Sequence, residues 1–358
     1  MKEVLSLSEA QVETVSLLHE RAIIVDSMVH SVSPNFFQSF QGADLRDYFQ
    51  RAKNAGVTAL NHMFALAAPS EHRSERDAHL KSFCNWYSIF EKHRDAAVLA
   101  TTATDVETAK TQGKIAIFLS LMSEMNTIGE DLFLLDIYKK LGISSAKLVF
   151  NKKNSLGDGC IERTDCGLSE LGVRTVEEMN RLGLVIDLSH SGAATSIDAM
   201  KISKHPVLFT HSGVRTKCDN PNNLNDEQIH ALAENEGVLS LSAFSSFVAW
   251  PSYNGFRPTL EDLVDRVDYV KNLVGVDHVG VTSDSSEGVT RESFGPSKQR
   301  YPHLYPYDVE NLHVNAFDNI SHWPNVTKSL LARGYSDQEV LKILGGNLVR
   351  VFRTVFGN

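Results

Sequence analysis

The run Leu184-Val-Ile-Asp-Leu-Ser-His190, followed after a short interval by Pro206-Val-Leu-Phe-Thr-His211, decides the fold. Each is an apolar stretch of strand length, as expected for a strand buried on both faces, and each ends in a histidine. A third run, His278-Val-Gly-Val-Thr-Ser-Asp284, ends in the same way at an aspartate. Parallel strands that deliver polar side chains at their C-terminal ends are the pattern of a barrel with its active site at that mouth. Two imidazoles and a carboxylate brought together there suit a divalent ion such as zinc, with one coordination position open for water or substrate.

Outward from these runs, β-branched segments alternate with amphipathic ones along the chain. The predicted strands are Ala22–Val29, Val57–Phe64, Lys114–Leu121, Ala146–Asn151, Leu184–His190, Pro206–Ser212, Val238–Phe244 and Val279–Asp284. The predicted helices include Asp44–Asn54, Glu75–His93, Asp131–Leu141, Ser169–Leu182, Asp226–Glu236 and Leu260–Val274. Gly56, Gly142, Gly183 and Gly237 fall between a helical stretch and the next strand, where a helix C-cap belongs. About eight βα units without a second composition regime predict one (β/α)8 TIM barrel over residues 1–358, with a doubly wound sheet as the alternative. Pro324–Phe352 reads as two extra C-terminal helices broken at Gly334-Tyr-Ser-Asp. Gly157-Asp-Gly159 reads as a turn.

The 358 residues are 42% hydrophobic and 22% charged, ordinary for a globular chain with a large core. The net charge of −9 and the lack of any Lys/Arg-rich tract argue against a nucleic-acid partner. No run reaches the length of a membrane span, and acids stand near the start where a signal peptide needs apolar residues, so a cytoplasmic location is the expectation. Cys84, Cys160, Cys166 and Cys218 lack a CxxC spacing and read as free thiols, with a Cys160–Cys166 pair as the alternative.

Several words in the chain carry a resemblance. They are Gly167-Leu-Ser-Glu-Leu-Gly, Glu178-Met-Asn-Arg-Leu-Gly-Leu-Val-Ile-Asp-Leu-Ser-His190, His211-Ser, Cys218-Asp-Asn-Pro-Asn-Asn-Leu-Asn-Asp226, Ala233-Glu-Asn-Glu-Gly-Val and Gly345-Gly-Asn-Leu-Val-Arg-Val-Phe352. With these the chain resembles the membrane (renal) dipeptidases, metallopeptidases of the amidohydrolase-like barrel class. The resemblance implies a two-metal centre in which His190, His211 and Asp284 match three ligands. It also implies departures. Met28 and His30 stand where the family's first strand carries a histidine and an aspartate ligand. Met122 stands at the bridging glutamate, with Glu124 two residues late. Phe150 replaces a substrate-contacting histidine, and Asn222 replaces an arginine that grips a substrate carboxylate.

Those departures have chemical weight. A thioether is a soft, neutral ligand, and two dications without bridging carboxylates lack compensating charge. The expectation is one divalent metal, zinc or similar, or none. His190, His211 and Asp284 are its candidate ligands; His30 and Asp284 are the candidate acid–base residues. Asp26, His62, Phe150 and Asn222 are candidates for the substrate pocket, with Asp26 packing beneath the site to orient a neighbour. Phe244, Phe247 and Trp250 would wall it, whereas His72, His79 and His93 read as surface. The retained ligand types favour a hydrolase acting on an amide or other C–N bond of a small polar molecule. The lost ones favour a catalytically silent ligand-binding relative, or a metal-independent lyase or isomerase. A homodimer is expected from the resemblance alone.

Overall fold

Parallel strands cannot be joined by tight turns, so each pair needs a crossover, and a helix is the usual one. The computed structural model describes residues 9–30, 45–64, 75–121, 125–249, 257–302 and 304–357. Among them are nine strands: β1 (Ile24–Val29), β2 (Val57–Phe64), β3 (Ala97–Leu99), β4 (Ile115–Leu121), β5 (Ile143–Lys147), β6 (Val185–Asp187), β7 (Leu208–Ser212), β8 (Val238–Ser242) and β9 (Val279–Thr282). All pair in parallel in the order β1-β2-β4-β5-β6-β7-β8-β9, and β3 adds to β4. A parallel bridge between Val29 and Ser285, with the His30 amide donating to the Ser285 carbonyl at 3.0 Å, joins the last strand end to the first. The eight form the α/β barrel that the sequence predicts.

β3 was not among the predicted strands. It is three residues long, too short to show a period. It fills the part of the β4 edge beside residues 115–117, where β5, which pairs only with residues 119–121, has not begun. β5 also starts earlier than the predicted Ala146, at Ile143, directly after Gly142 turns the chain at φ 94°. Gly56 and Gly183 likewise take left-handed caps, but before β8 the left-handed residue is Glu236 at φ 60°. Gly237 serves by close approach instead: a Cβ there would press on the Val207 carbonyl and Leu232.

Helices cover the outer face, including Leu45–Asn54, Glu75–Lys92, Ala103–Gln112, Phe133–Lys140, Glu170–Leu182, Ala193–Ile202, Asp226–Glu234 and Leu260–Val274. Reciprocal capping boxes open three of them, at Thr102/Asp105, Asn225/Gln228 and Thr259/Asp262. The C-terminal stretch holds three α-helices rather than two, Trp323–Ala332, Asp337–Leu341 and Asn347–Phe356, with a wide turn over Lys342–Gly346. There Gly345 backs onto the Ile23 carbonyl and Val25, leaving no room for a side chain. His93, expected at the surface, is buried edge-on to Phe49 at 5.8 Å. All four cysteines are free thiols. Among the described residues no helix is long and apolar enough to cross a membrane.

Side chains alternate across each strand, so register decides what faces inward. Val25, Ala59, Ala116, Phe118, Val185, Leu208 and Val238 form one apolar cluster with Leu348, Val351, Phe352 and Val355 of the last helix. That helix therefore plugs the N-terminal end of the barrel. Two residues further along come Ser27, Asn61, Ser120, Asp187, Thr210 and Ser240, all buried, and the barrel interior turns polar toward its mouth. Phe352 stacks 4.6 Å from Phe118 and 5.7 Å from Phe356. Phe352→Ala should cost about 3–5 kcal/mol of unfolding free energy, the usual loss for a buried phenylalanine; urea denaturation followed by circular dichroism measures it.

Candidate active site

The site grows from three strand ends where the chain leaves the sheet in an uncommon conformation. Asn151, His190 and Asp284 all have positive φ, at 60°, 69° and 50°. Such backbone costs energy in a non-glycine residue and persists where surrounding contacts over-determine it. Those contacts are visible. The loop after β5 clamps both Asn151 and His190: the Cys160 amide donates to the His190 carbonyl at 2.9 Å, and the Ile161 amide donates to the Asn151 carbonyl at 3.1 Å. A side chain on Gly159 would overlap the Asn151 backbone. The stretch that reads as a turn in sequence is thus a strut under the site.

The two histidines meet. His190 Nε2 lies 2.9 Å from His211 Nε2. Their other nitrogens are engaged: His190 Nδ1 contacts Asn151 Oδ1 at 2.7 Å, and His211 Nδ1 contacts Thr210 Oγ1 at 2.9 Å. Asn151 Oδ1 can only accept, so His190 Nδ1 carries the hydrogen. Thr210 donates its single hydrogen to Asp187 Oδ2 at 2.7 Å, so Thr210 Oγ1 accepts from His211 Nδ1. With both hydrogens there, the two Nε2 atoms face a common point that a shared cation could occupy. Burial, and next the charge of Lys147, push both imidazoles well below the ordinary histidine range, so a proton is a poor candidate for that cation.

Asp284 is elsewhere in the mouth. Its Oδ2 accepts from Ser242 Oγ at 2.8 Å, and its Oδ1 stands 3.6 Å from His30 Nε2. His313 Nε2 donates to its carbonyl at 2.8 Å and helps hold the left-handed turn. Among the described residues no group of three or more His, Cys, Asp or Glu side chains is arranged to hold a metal ion. His190, His211 and Asp284 are therefore not gathered as one ligand set; the histidines form one cluster, and Asp284 forms another with His30. Met28 is fully buried. Met122, Glu124, His72 and Trp250 lie outside the described residues, as does the side chain of His79. Among the described residues the donors of a binuclear centre are not gathered, and the paired nitrogens are the closest approach of two ligand-type atoms at the mouth.

Two pocket candidates face the other way. His62 pairs in register with Leu119, on the outer side of β2, and its ring lies 4.6 Å from Trp86 of the surrounding helix. Asp26 pairs in register with Leu60, also outward, and accepts from Thr282 Oγ1 at 2.6 Å, the Ser283 amide at 3.0 Å, Ser283 Oγ and Trp323 Nε1 at 3.2 Å. It anchors the end of β9 from behind rather than touching the mouth. Asn222 is also committed: its Oδ1 accepts from the His190 amide at 2.7 Å and its Nδ2 donates to the His211 carbonyl at 3.4 Å. The carboxamide ties the two histidine-bearing strand ends together. Phe150 does reach the site, with its ring 4.5 Å from that of His190. Phe247 stacks near both histidines at 6.3 and 6.5 Å, and Phe244 packs on Phe247 at 5.5 Å.

Four residues of the site were not read from the sequence. Lys147 and Asp187, both fully buried, approach each other at 3.9 Å inside the barrel. Both sit at strand ends on inward positions, which was the available signal. Tyr305, whose phenol is pushed upward by burial and the nearby Asp284, and His313 come from the long loop after β9, where no periodicity points inward.

The chain matches the family described as membrane dipeptidase, peptidase family M19, over residues 12–304 and 305–357. It belongs to that family. A curated relative, the dipeptidase tcpJ of Claviceps purpurea (strain 20.1), is 30% identical over 270 residues, which cover 75% of this chain and 57% of that protein. The dipeptidase verJ of Clonostachys rogersoniana is 28% identical over 271 residues, 75% of this chain and 63% of that protein. The chain thus spans between about half and two thirds of the length of these M19 relatives. Among solved structures, an amidohydrolase from Pseudomonas aeruginosa superposes with a TM-score of 0.83 at 26% identity, covering 96% of this chain and 99% of that one. The probable dipeptidase PvdM of the same organism shares the fold, with a TM-score of 0.81 at 20% identity over 98% of this chain and 100% of its own.

Burial pushes His62 down to about 3 from the ordinary 6.5. In the unfolded chain it takes up a proton near 6.5, so below that pH the unfolded state binds more protons and stability falls. The stabilisation is complete above 6.5 and is lost as pH falls toward 3. His62→Phe keeps the packing on Trp86 and removes this titration. Going from pH 7 to pH 5, the variant should lose about 2 kcal/mol less stability than the unaltered chain, as urea melts at the two pH values would show.

Proposed function

We propose that this barrel is a dipeptidase-like hydrolase that cleaves an amide or related C–N bond in a small polar molecule, with at most one metal ion held by His190 and His211. The observation that carries the reading is the convergence of two imidazole Nε2 atoms 2.9 Å apart at the barrel mouth, with both Nδ1 atoms engaged elsewhere. Imidazole nitrogens fixed in this tautomer suit zinc and similar divalent ions. The chemistry such an ion supplies when bound is polarisation of a carbonyl and a water acidified toward neutral pH.

The remaining work falls to the chain's own groups. Asp284 Oδ1 faces His30 Nε2 across 3.6 Å, which favours the tautomer with hydrogen on Nε2. His30 Nδ1 is buried, so the Asp284–His30 couple would take the proton of the attacking water on its carboxylate side and return it from there to the leaving amine. Phe150, Phe244 and Phe247 exclude water around the histidines, strengthening each polar contact there.

Ordinary dipeptides fit this site poorly. Asn222 carries no charge, and its amide is already spent on the His190 and His211 backbones, so it cannot grip a C-terminal carboxylate as a guanidinium would. A panel of dipeptides assayed with zinc, cobalt or manganese should show kcat/KM below about 10⁴ M⁻¹s⁻¹, the low end for enzymes; faster turnover would refute this. Metal analysis of protein purified without a histidine tag tests the ion. At most one equivalent should be found, and His190→Ala or His211→Ala should abolish it. Two equivalents would overturn the one-ion reading. No metal, together with no turnover of any amide, would point to the silent relative.

A further inference from the structure

Inside the barrel, directly behind the histidine pair, Lys147 Nζ and Asp187 Oδ2 form a fully buried ion pair at 3.9 Å. Both ends reach the histidines. Asp187 accepts from Thr210 Oγ1, which accepts in turn from His211 Nδ1, at 2.7 and 2.9 Å. Lys147 Nζ stands 5.3 Å from the centre of the Phe150 ring, which lies 4.5 Å from the ring of His190. Asp187 is held from other directions as well: the Ser189 amide and hydroxyl donate to Oδ1 at 3.0 and 2.8 Å, and the Thr210 amide at 3.2 Å. The carboxylate is thus fixed, and its charge is what a cation at the histidines would sense through Thr210.

We propose that Lys147 is a positioning residue that sets how strongly the His190–His211 pair holds a cation, by neutralising Asp187 behind it. The inference rests on the one-ion reading of that pair. In a water-poor interior a carboxylate hydrogen-bonded through a hydroxyl to a ligand imidazole strengthens the ligand, and an ammonium at the same depth opposes a dication directly. Lys147 acts on both counts against tight binding, and Asp187 acts for it. The two partners should therefore have opposite effects, although both are fully buried.

Cobalt(II) or zinc binding to the full chain, measured by calorimetry and for cobalt by its absorption spectrum, reads this without any substrate. Lys147→Met should tighten binding at least tenfold, and Asp187→Asn should weaken it at least tenfold. The double variant, which removes both charges and replaces a buried ion pair by neutral groups, should return to within about threefold of the unaltered chain. A purely structural role would weaken all three. Should Lys147→Met fail to fold, the step from Asp187→Asn to the double variant still reads the sign of Lys147: recovery supports the proposal, and no recovery overturns it. If the unaltered chain binds no ion, the one-ion reading fails; acquisition of a site by Lys147→Met would still support the role of Lys147, and its absence would overturn that too.

Discussion

The alternation of side chains along a closed parallel barrel governs nearly everything else in this protein. A barrel of eight strands has one interior, and a side chain reaches it only from every second position. Lys147 and Asp187 pair in register and so face the same space. His62 pairs with Leu119 and therefore faces the helix layer, however suggestive its place near a strand end. One residue of offset separates a mouth-lining group from a packed one. The apolar lower layer closed by the C-terminal helix and the polar upper layer under the histidines follow from the same rule applied two residues apart.

Charge decides what that polar layer can hold. A buried carboxylate or ammonium is costly unless paired, and the pair Lys147–Asp187 meets that demand internally. Asp26 has no such partner among the described residues. Four donors hold its carboxylate, and burial still lifts its pKa to about 6. It remains because it fastens β1, β9 and Trp323 into one corner, a role that hydrogen bonds serve without a counter-ion. The histidines meet the demand differently, by remaining neutral, which leaves them as nitrogen donors at the pH where most enzymes work.

The fold was legible because strands buried on both faces are short apolar runs and their helices carry periodicity and capping residues. The strand ends were legible for the same reason: His190, His211 and Asp284 each follow such a run, and the structure brings the two histidines into contact. Other features were not. Asp284 joins His30 rather than the histidine pair because of a left-handed turn held by His313, a residue 29 positions away in an irregular loop. Asn222 looks in sequence like a lost binding group; in space it is the brace between the two histidine strands. Lys147 is hidden in the sequence, since a lysine in Ser-Ser-Ala-Lys-Leu-Val reads as solvent-facing until register turns it inward.

Strain and bracing at the mouth belong together. Three left-handed residues, Asn151, His190 and Asp284, hold unfavourable backbone at the three points where the site needs side chains aimed off the strand direction. The loop around Gly159 restrains both Asn151 and His190, the Asn222 carboxamide also holds His190, and the His313 ring holds Asp284. Residues held this way cannot follow a ligand by moving, so the site is preorganised, and its selectivity has to come from charge and shape already present. Asn222, which ties the two histidine-bearing strand ends together, is itself part of that frame. On such a frame the titratable groups that the described residues bring to the mouth, the two imidazoles, the His30–Asp284 couple and the buried Lys147–Asp187 pair, stay where the strand ends aim them.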